Sequence, residues 1–299
     1  MALTQYNATG KTFDLTKLIT NISPSDTPIV TLIGRADNAT QVLHSWEEDS
    51  LGQPVDNAQV EGFAYSVEDP GETSIKDNVC QIFKKGFGVT DTNLAIKRYN
   101  MQNKLAYEMQ KAMKLIALDE ERAVIRSNKK VLGNSNTARK MAGLPYFITT
   151  NVFKNGGTAR ALTYALLNDA LETLYECGGD PDVIVASARN KRILSMLLPL
   201  STDRTQRSES KKVVATIDVF EGDFGIQRVV TDRWMPDDQV FVLSSEYMGI
   251  SFLRPFKRET LPKTKDATEQ IIKGELTLEV RAEKASARIC DLNGTLPAA

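Results

Sequence analysis

The feature that most constrains the fold is one long amphipathic stretch from Met101 to Ser127. Its apolar residues recur at helical spacing, and they are Leu105, Met109, Ala112 and Ile116, with a flanking row of Ala106, Met113, Ala117 and Val124. The opposite face carries the polar residues Gln102, Lys104, Glu108, Lys111, Lys114 and Glu121. A helix of this length, at about 1.5 Å per residue, measures roughly 40 Å and needs a broad apolar surface to lie against. Strands before Asn93 and after Val213 are predicted to supply that surface, so both ends of the chain converge on this helix.

Composition excludes several classes of protein. The chain has 299 residues, of which 41% are hydrophobic and 25% charged, as in ordinary globular proteins. Its net charge of -1 supplies no basic field that would attract nucleic acid or a membrane surface. The start of the chain lacks the charged and apolar regions of a signal peptide, and no apolar run is long enough to span a membrane. Three widely spaced cysteines favour reduced thiols, so we expect folding in a cytoplasm and no membrane association.

The first 40 residues mix short apolar pairs with helix-breaking residues. Pro24 and Pro28 stand within five residues of each other, and Ile29 to Ile33 follow them. This region is predicted to be an extended arm with a short helix that lies on another surface.

Two alternating segments are predicted to pair as a long two-stranded ribbon. One spans residues 41–49 and the other residues 79–90, each with apolar and polar residues alternating as in a strand. The connection from Ser50 to Lys76 contains several glycines and prolines and almost no clustered apolar residues. Such a long connection is improbable inside a compact domain, so we expect it to project outward.

Charge is unevenly distributed over two parts of the chain. Residues 47–77 contain nine acids and a single base, Lys76. The acids include Glu47, Glu48, Asp49, Glu68, Asp69 and Glu72. Residues 122–140 contain no acid and six bases, which are Arg122, Arg126, Lys129, Lys130, Arg139 and Lys140. A solvated acidic loop is one interpretation. The alternative, which we adopt as a hypothesis, is that the acidic ribbon of one subunit lies on the basic segment of the next.

The second half of the chain reads as a small α/β unit followed by strands. Helices are predicted at 163–177 and 188–198, with a strand at Asp182 to Ser187 between them. Further strands are predicted at 213–220, 226–231, 240–243, 248–253 and 272–280. The strand from Ile272 to Val280 is predicted to have one buried and one solvated face, because Lys273, Glu275, Thr277, Glu279 and Arg281 alternate with apolar residues. This strand and residues 285–292 are predicted to form the sheet under the long helix.

A search for catalytic or metal-binding chemistry finds little. The single histidine, His44, has no partner at ligand spacing and is interpreted as a partly buried structural residue. The glycine pairs at 156–157 and 178–179 are read as turns, and Cys177 as a structural thiol at a helix end. No familiar hydrolase, metalloprotease or nucleotide-binding motif occurs. We therefore expect no enzyme activity, no cofactor and no metal site.

The order of these elements resembles the Johnson fold of tailed-bacteriophage major capsid proteins. The chain is also similar to them in short segments, namely Ile22 to Pro28, His44-Ser45-Trp46, Leu105-Ala106-Tyr107, Arg139 to Leu144, Leu253 to Phe256 and Glu275 to Val280. The resemblance implies an α+β fold with an N-terminal arm at 1–40, an extended loop at 41–92, a peripheral domain with its spine helix at 93–159, an axial domain at 160–240 and closing strands at 241–299.

The resemblance also implies a function. It predicts a major capsid protein that assembles into hexamers and pentamers of an icosahedral shell around packaged double-stranded DNA, without sequence-specific DNA binding. Further copies of the chain, a portal, and separate scaffold or decoration proteins are the implied partners, with assembly in the host bacterial cytoplasm and residence in the virion. Two alternatives stay open: a ligand-binding protein or enzyme built on residues 160–240, and another phage structural protein such as a decoration or tube subunit.

Overall fold

A computed structural model describes residues 26–49, 54–63, 72–96, 103–197 and 219–295. Within these ranges the helices are α1 (Pro28–Ile33), α2 (Asp91–Ala95), α3 (Lys104–Arg126), α4 (Leu144–Phe147), α5 (Tyr164–Glu176) and α6 (Ala188–Leu197). The first strands are β1 (Leu43–Glu48), β2 (Ser74–Val79), β3 (Gln81–Thr90), β4 (Val152–Phe153) and β5 (Val183–Ala186). The remaining strands are β6 (Val219–Gly222), β7 (Gly225–Thr231), β8 (Val240–Leu243), β9 (Met248–Thr260), β10 (Ala267–Val280) and β11 (Ala287–Ile289).

The predicted long helix is confirmed as α3. The side chain of Asn103 caps its first turn by accepting a hydrogen bond from the Ala106 amide at 3.0 Å. Ala112 and Ile116 are buried on one face and join a core that also holds Leu276 and Leu278 of β10. The helix thus lies on a sheet built from distant parts of the chain, as its length requires.

The predicted faces of α3 are wrong at Met113, which is 56% exposed, and at Glu121. Glu121 was predicted to be solvated, but it is fully buried. Its Oε1 accepts a hydrogen bond from the Ile29 amide at 2.8 Å, and its Oε2 accepts one from the Val30 amide at 2.9 Å. Helix α1 of the arm covers this side of α3, and that contact cannot be read from the periodicity of α3 alone.

The sheet under α3 has three antiparallel strands in the order β3-β10-β9. This arrangement corrects the predicted ribbon, because residues 81–90 pair with β10 and not with β1. The ribbon consists of β1 and β2, with Trp46 opposite Lys76. The chain passes from ribbon to sheet at Cys80, whose amide donates to the Val42 carbonyl at 2.8 Å. The continuous alternation of the sequence conceals this change of partner.

Both faces of the second half of β10 are buried, so the predicted solvated face is wrong there. Glu275, Thr277 and Glu279 are all buried. Glu275 accepts hydrogen bonds from Arg139 at 3.0 Å and Arg254 at 2.6 Å. Paired arginines on one side and the ribbon on the other therefore cover carboxylates that would otherwise face water.

The α/β unit contains a six-stranded sheet in the order β4-β11-β8-β5-β7-β6. Its predicted helices and the strand at 183–186 are confirmed. Residues 287–289 were predicted to lie under α3, but as β11 they pair with β4 and β8 of this sheet. The sheet therefore extends beyond the predicted 160–240. Of the predicted strand at 213–220, only Val219 and Phe220 fall within the described residues, in β6.

The middle of this sheet separates two cores. Val183 and Val185 of β5 face the core that includes α3, whereas Ile184 and Ala186 face the core that includes α5 and α6. Strand β8 alternates in the same way. This two-sided burial explains why β5 and β8 are apolar at every position.

A glycine at the end of the basic segment permits close packing against α3. A Cβ added at Gly143 would lie 2.6 Å from the Ala123 carbonyl oxygen and still closer to that of Val124. We expect Gly143→Ala to lower the free energy of unfolding by about 1–3 kcal/mol, because helix carbonyls cannot move aside without distorting α3. Gly86→Ala is the control, since its Cβ would meet only the Gln270 carbonyl oxygen at 3.9 Å. Equal stability of the two variants in denaturant unfolding would contradict the close-packing argument.

Candidate functional site

The ribbon is fastened to the sheet at its base. The Trp46 indole donates to the Val280 carbonyl at 2.8 Å, and His44 Nε2 lies 3.0 Å from the Glu279 carboxylate. Burial favours a higher pKa for Glu279, but hydrogen bonds from Arg281, His44 and Ser251 outweigh it and hold that pKa below its usual value. His44 is thus a partly buried residue with partners, as predicted, and it belongs to a structural network.

A second anchor holds the ribbon where β2 ends. The side-chain amide of Asn78 is fully buried and donates to the carbonyls of Ala142 at 3.0 Å and Leu278 at 2.8 Å. Its oxygen accepts the Ala142 amide at 2.9 Å. A buried amide with these partners fixes the direction in which the ribbon leaves the body of the subunit.

Beyond these anchors, β2 and the connection between β1 and β2 expose apolar side chains. Every residue of 54–63 is exposed, including Val55 at 75% and Val60 at 78%. On β2, Ile75 is 70% exposed and lies opposite Glu47. Sequence patterns reveal the acids of this region but not these apolar positions, which are scattered singly along the chain. In a single subunit these three side chains are exposed to water.

The predicted acidic residues lie along the same ribbon. Glu47 and Glu72 are exposed, and Glu48 is half-buried beside Lys76 at 4.0 Å. Asp49 is exposed at the end of β1. The other two predicted acids, Glu68 and Asp69, lie outside the described residues.

The predicted basic segment divides into two groups. Three of its residues have partners in their own subunit: Arg126 donates to the Trp234 carbonyl at 2.7 Å, Lys130 contacts Asp77, and Arg139 contacts Glu275. The other three, Arg122, Lys129 and Lys140, are exposed. The Lys130–Asp77 contact joins the basic segment to the ribbon within one chain, so part of the charge complementarity is satisfied inside the subunit.

A cleft of about 730 Å³ opens where the end of β1 and the start of β2 meet the end of α5 and residues 281–285. Its lining mixes acids and bases, with Glu72, Lys76 and Lys284 among them, and Cys177 lies on its wall. Burial raises the pKa of Glu48 there. The cleft therefore differs from the apolar pocket that a ligand-binding α/β unit would present.

The pair Gly178-Gly179 ends α5 as predicted, because their amides donate to the carbonyls of Tyr175 and Leu174.

The described part of the chain contains no group of three histidine, cysteine or acidic residues arranged to hold a metal ion. In the same residues, no helix combines the length and apolar character needed to cross a membrane.

Comparison with known proteins relates this architecture to viral shells. The model of the SU10 major capsid protein family matches residues 2–293. The major capsid protein of Escherichia phage Phieco32 is 24% identical over an alignment of 333 positions that covers 94% of each chain.

Solved structures agree with the fold. The capsid asymmetric unit of Cyanophage A-1(L) superposes with a TM-score of 0.69 at 14% identity, covering 97% of this chain and 99% of that one. A Mycobacterium phage Che8 structure gives 0.63 at 14% identity, with the same coverage of 97% and 99%. A capsid chain of a native GTA particle gives 0.65 at 12% identity, covering 96% of each chain. These likenesses confirm the predicted α+β Johnson fold.

The described structure thus combines a long helix on a three-stranded sheet, a two-stranded ribbon and an α/β unit with its own sheet. The family model spans nearly all of them. The chain belongs to the SU10 major capsid protein family and forms the icosahedral capsid shell of a tailed phage.

Proposed function

We propose that this capsid protein assembles into hexamers and pentamers by laying the acidic ribbon of each subunit on the basic segment of a neighbour. The observation that carries the proposal is the exposure of the apolar side chains of Val55, Val60 and Ile75, with Ile75 opposite the exposed acid Glu47. Fully burying one such apolar side chain contributes about 1.5–3 kcal/mol. A surface ion pair contributes about 0–1 kcal/mol. Burial therefore supplies most of the association energy, and charge selects the register.

The exposed bases indicate which part of residues 122–140 would contact the ribbon of a neighbouring subunit. Arg122, Lys129 and Lys140 present charge to solvent, whereas Arg126, Lys130 and Arg139 are held by their own subunit. We propose that the first three face the ribbon of the neighbour. The other three bases hold the basic segment in the conformation that binds the neighbour's ribbon.

We also propose roles for the larger parts and for the partners. The unit around α5, α6 and the six-stranded sheet is proposed as the axial domain, and α3 with the three-stranded sheet as the peripheral domain. Double-stranded DNA is proposed as the enclosed cargo, held without base recognition. A portal and separate scaffold or decoration proteins complete the proposed partners, with assembly in the host cytoplasm. The protein is proposed to act without catalysis, because family membership and the charged, open cleft favour a structural role over the enzyme alternative.

Self-assembly gives the most direct test of the capsomer proposal. The overexpressed full-length protein, examined by negative-stain electron microscopy, is expected to form closed shells or hexagonal sheets. Dispersed monomers would contradict the proposal, and tubes would support the alternative of a tube subunit.

Charge reversal tests the register of the interface. We expect Lys129→Glu with Lys140→Glu to reduce shell yield severely while the thermal unfolding of the subunit stays unchanged, because both side chains are exposed. Reversal of the ribbon with Glu47→Lys and Glu72→Lys is expected to have the same effect. The yield is measured by sedimentation at low and high salt, since screening weakens exposed charge pairs.

The four substitutions combined in one chain are the matched control. The combined variant alters four residues instead of two but restores opposite signs across the proposed contact, so we expect the shell yield to recover. A combined variant that assembles no better than either double variant would refute this pairing of surfaces.

A further inference from the structure

Two buried carboxyl groups meet where the arm joins the body of the subunit. Glu121 of α3 is 0% exposed and Asp232, which follows β7, is 1% exposed. The two carboxyl groups lie close enough to interact directly. Burial of one carboxylate against another is costly unless a proton or a cation lies between them.

Of the four carboxylate oxygens of Glu121 and Asp232, one has no hydrogen-bond donor among the described residues. Both oxygens of Glu121 accept amides of α1, from Ile29 and Val30. Asp232 Oδ1 accepts the Trp234 amide at 2.7 Å. Asp232 Oδ2 is buried and finds no donor among the described residues. A proton on Glu121 directed at Oδ2 would satisfy this last acceptor and account for the contact between two acids.

The charged groups nearby do not replace that proton. Arg126 of α3 lies close enough to Asp232 to favour its charged form. The Nε of Arg126, however, donates a hydrogen bond to the Trp234 carbonyl. Arg233 pairs at the surface with Asp26 at 3.6 Å. Helix α1 itself has the sequence PIVTLI and brings no titratable side chain.

Two further elements contact α1 from the other side. The 3-10 turn Ser245–Tyr247 carries Glu246 and Tyr247, and β9 has no charged residue before Arg254, whose guanidinium pairs with Glu275. Among the described residues, Asp232 is thus the charged group that faces Glu121 directly.

We propose that Glu121 and Asp232 share one proton and act as a latch that holds the N-terminal arm on α3, so that removing this proton loosens the arm. Two ionised carboxylates in the same buried place would repel each other. The amides of Ile29 and Val30 bind Glu121 directly, so movement of Glu121 would release the start of α1.

The direction of the pH dependence follows from the environment. Burial, aided by Asp232, raises the pKa of Glu121 to about 8, although the amides of Val30 and Ile29 act in the opposite direction. Between the ordinary pKa of 4.5 and about 8, the folded protein binds a proton that the unfolded chain has lost. The contribution of the latch is therefore complete below pH 4.5, decreases as pH rises, and is lost above about pH 8.

Hydrogen exchange at the arm tests the latch. In the purified full-length protein, the opening constant of the Ile29 and Val30 amides, corrected for the intrinsic exchange rate, should rise up to about tenfold per pH unit between pH 4.5 and about pH 8 and level off above pH 8. In Asp232→Asn the side-chain amide can donate to an ionised Glu121 from the position of Oδ2. We expect that variant to keep the arm protected, with no such rise, up to pH 10.

Glu120→Gln is the matched control. Glu120 is a buried neighbour on the same helix, and burial together with Asp119 raises its pKa to about 7. This variant should retain the pH dependence of the wild-type arm. The latch would be refuted by a flat wild-type profile, by the same rise in Asp232→Asn, by loss of protection in Asp232→Asn at every pH, or by a flat profile in Glu120→Gln.

Discussion

Helix α3 is covered from two directions, and the positions of the other parts follow from that constraint. Its apolar stripe, with Ala112 and Ile116, faces the three-stranded sheet. A different side, at Glu121, receives the arm through the amides of α1. Because the arm, β3 and β10 come from opposite ends of the sequence, the helix can be fully covered only when the whole chain has folded. The subunit body is therefore one cooperative structure with long-range contacts, and its projecting parts are attached to that structure.

The six-stranded sheet links the two halves of this body. Strands β5 and β8 contribute alternate side chains to the core of α3 and to the core of α5 and α6. A movement of one half relative to the other would thus disturb packing on both faces of the same strands. Close-packed interiors resist such gradual deformation, so the subunit is expected to move as a unit around its ribbon and arm.

Sequence patterns predicted the elements with strong periodicity. They failed where a residue is buried by segments that are distant in the sequence. The spine helix, the helices of the α/β unit and strand β8 are all encoded locally, by spacing and by end signals such as Gly178. The buried states of Glu121, Glu275 and Glu279 depend on partners 21 to 235 residues away along the chain. The change of partner at Cys80 and the membership of β11 in the second sheet depend likewise on tertiary packing. For the candidate interface, the charges were visible in the sequence, but their division into exposed and internally paired bases was not.

The ribbon is part of the fold of one subunit and also part of the proposed contact between subunits. Its base is fixed by Trp46 and Asn78, whereas its outer part keeps Val55, Val60 and Ile75 in solvent. We propose that a neighbouring subunit covers these side chains, and cryo-electron microscopy of the assembled shell can show whether it does. We expect residues 54–63 and Ile75 of one subunit to be buried against residues 122–140 of the next. A reconstruction in which the ribbon lies on its own subunit, or remains exposed in the shell, would contradict it.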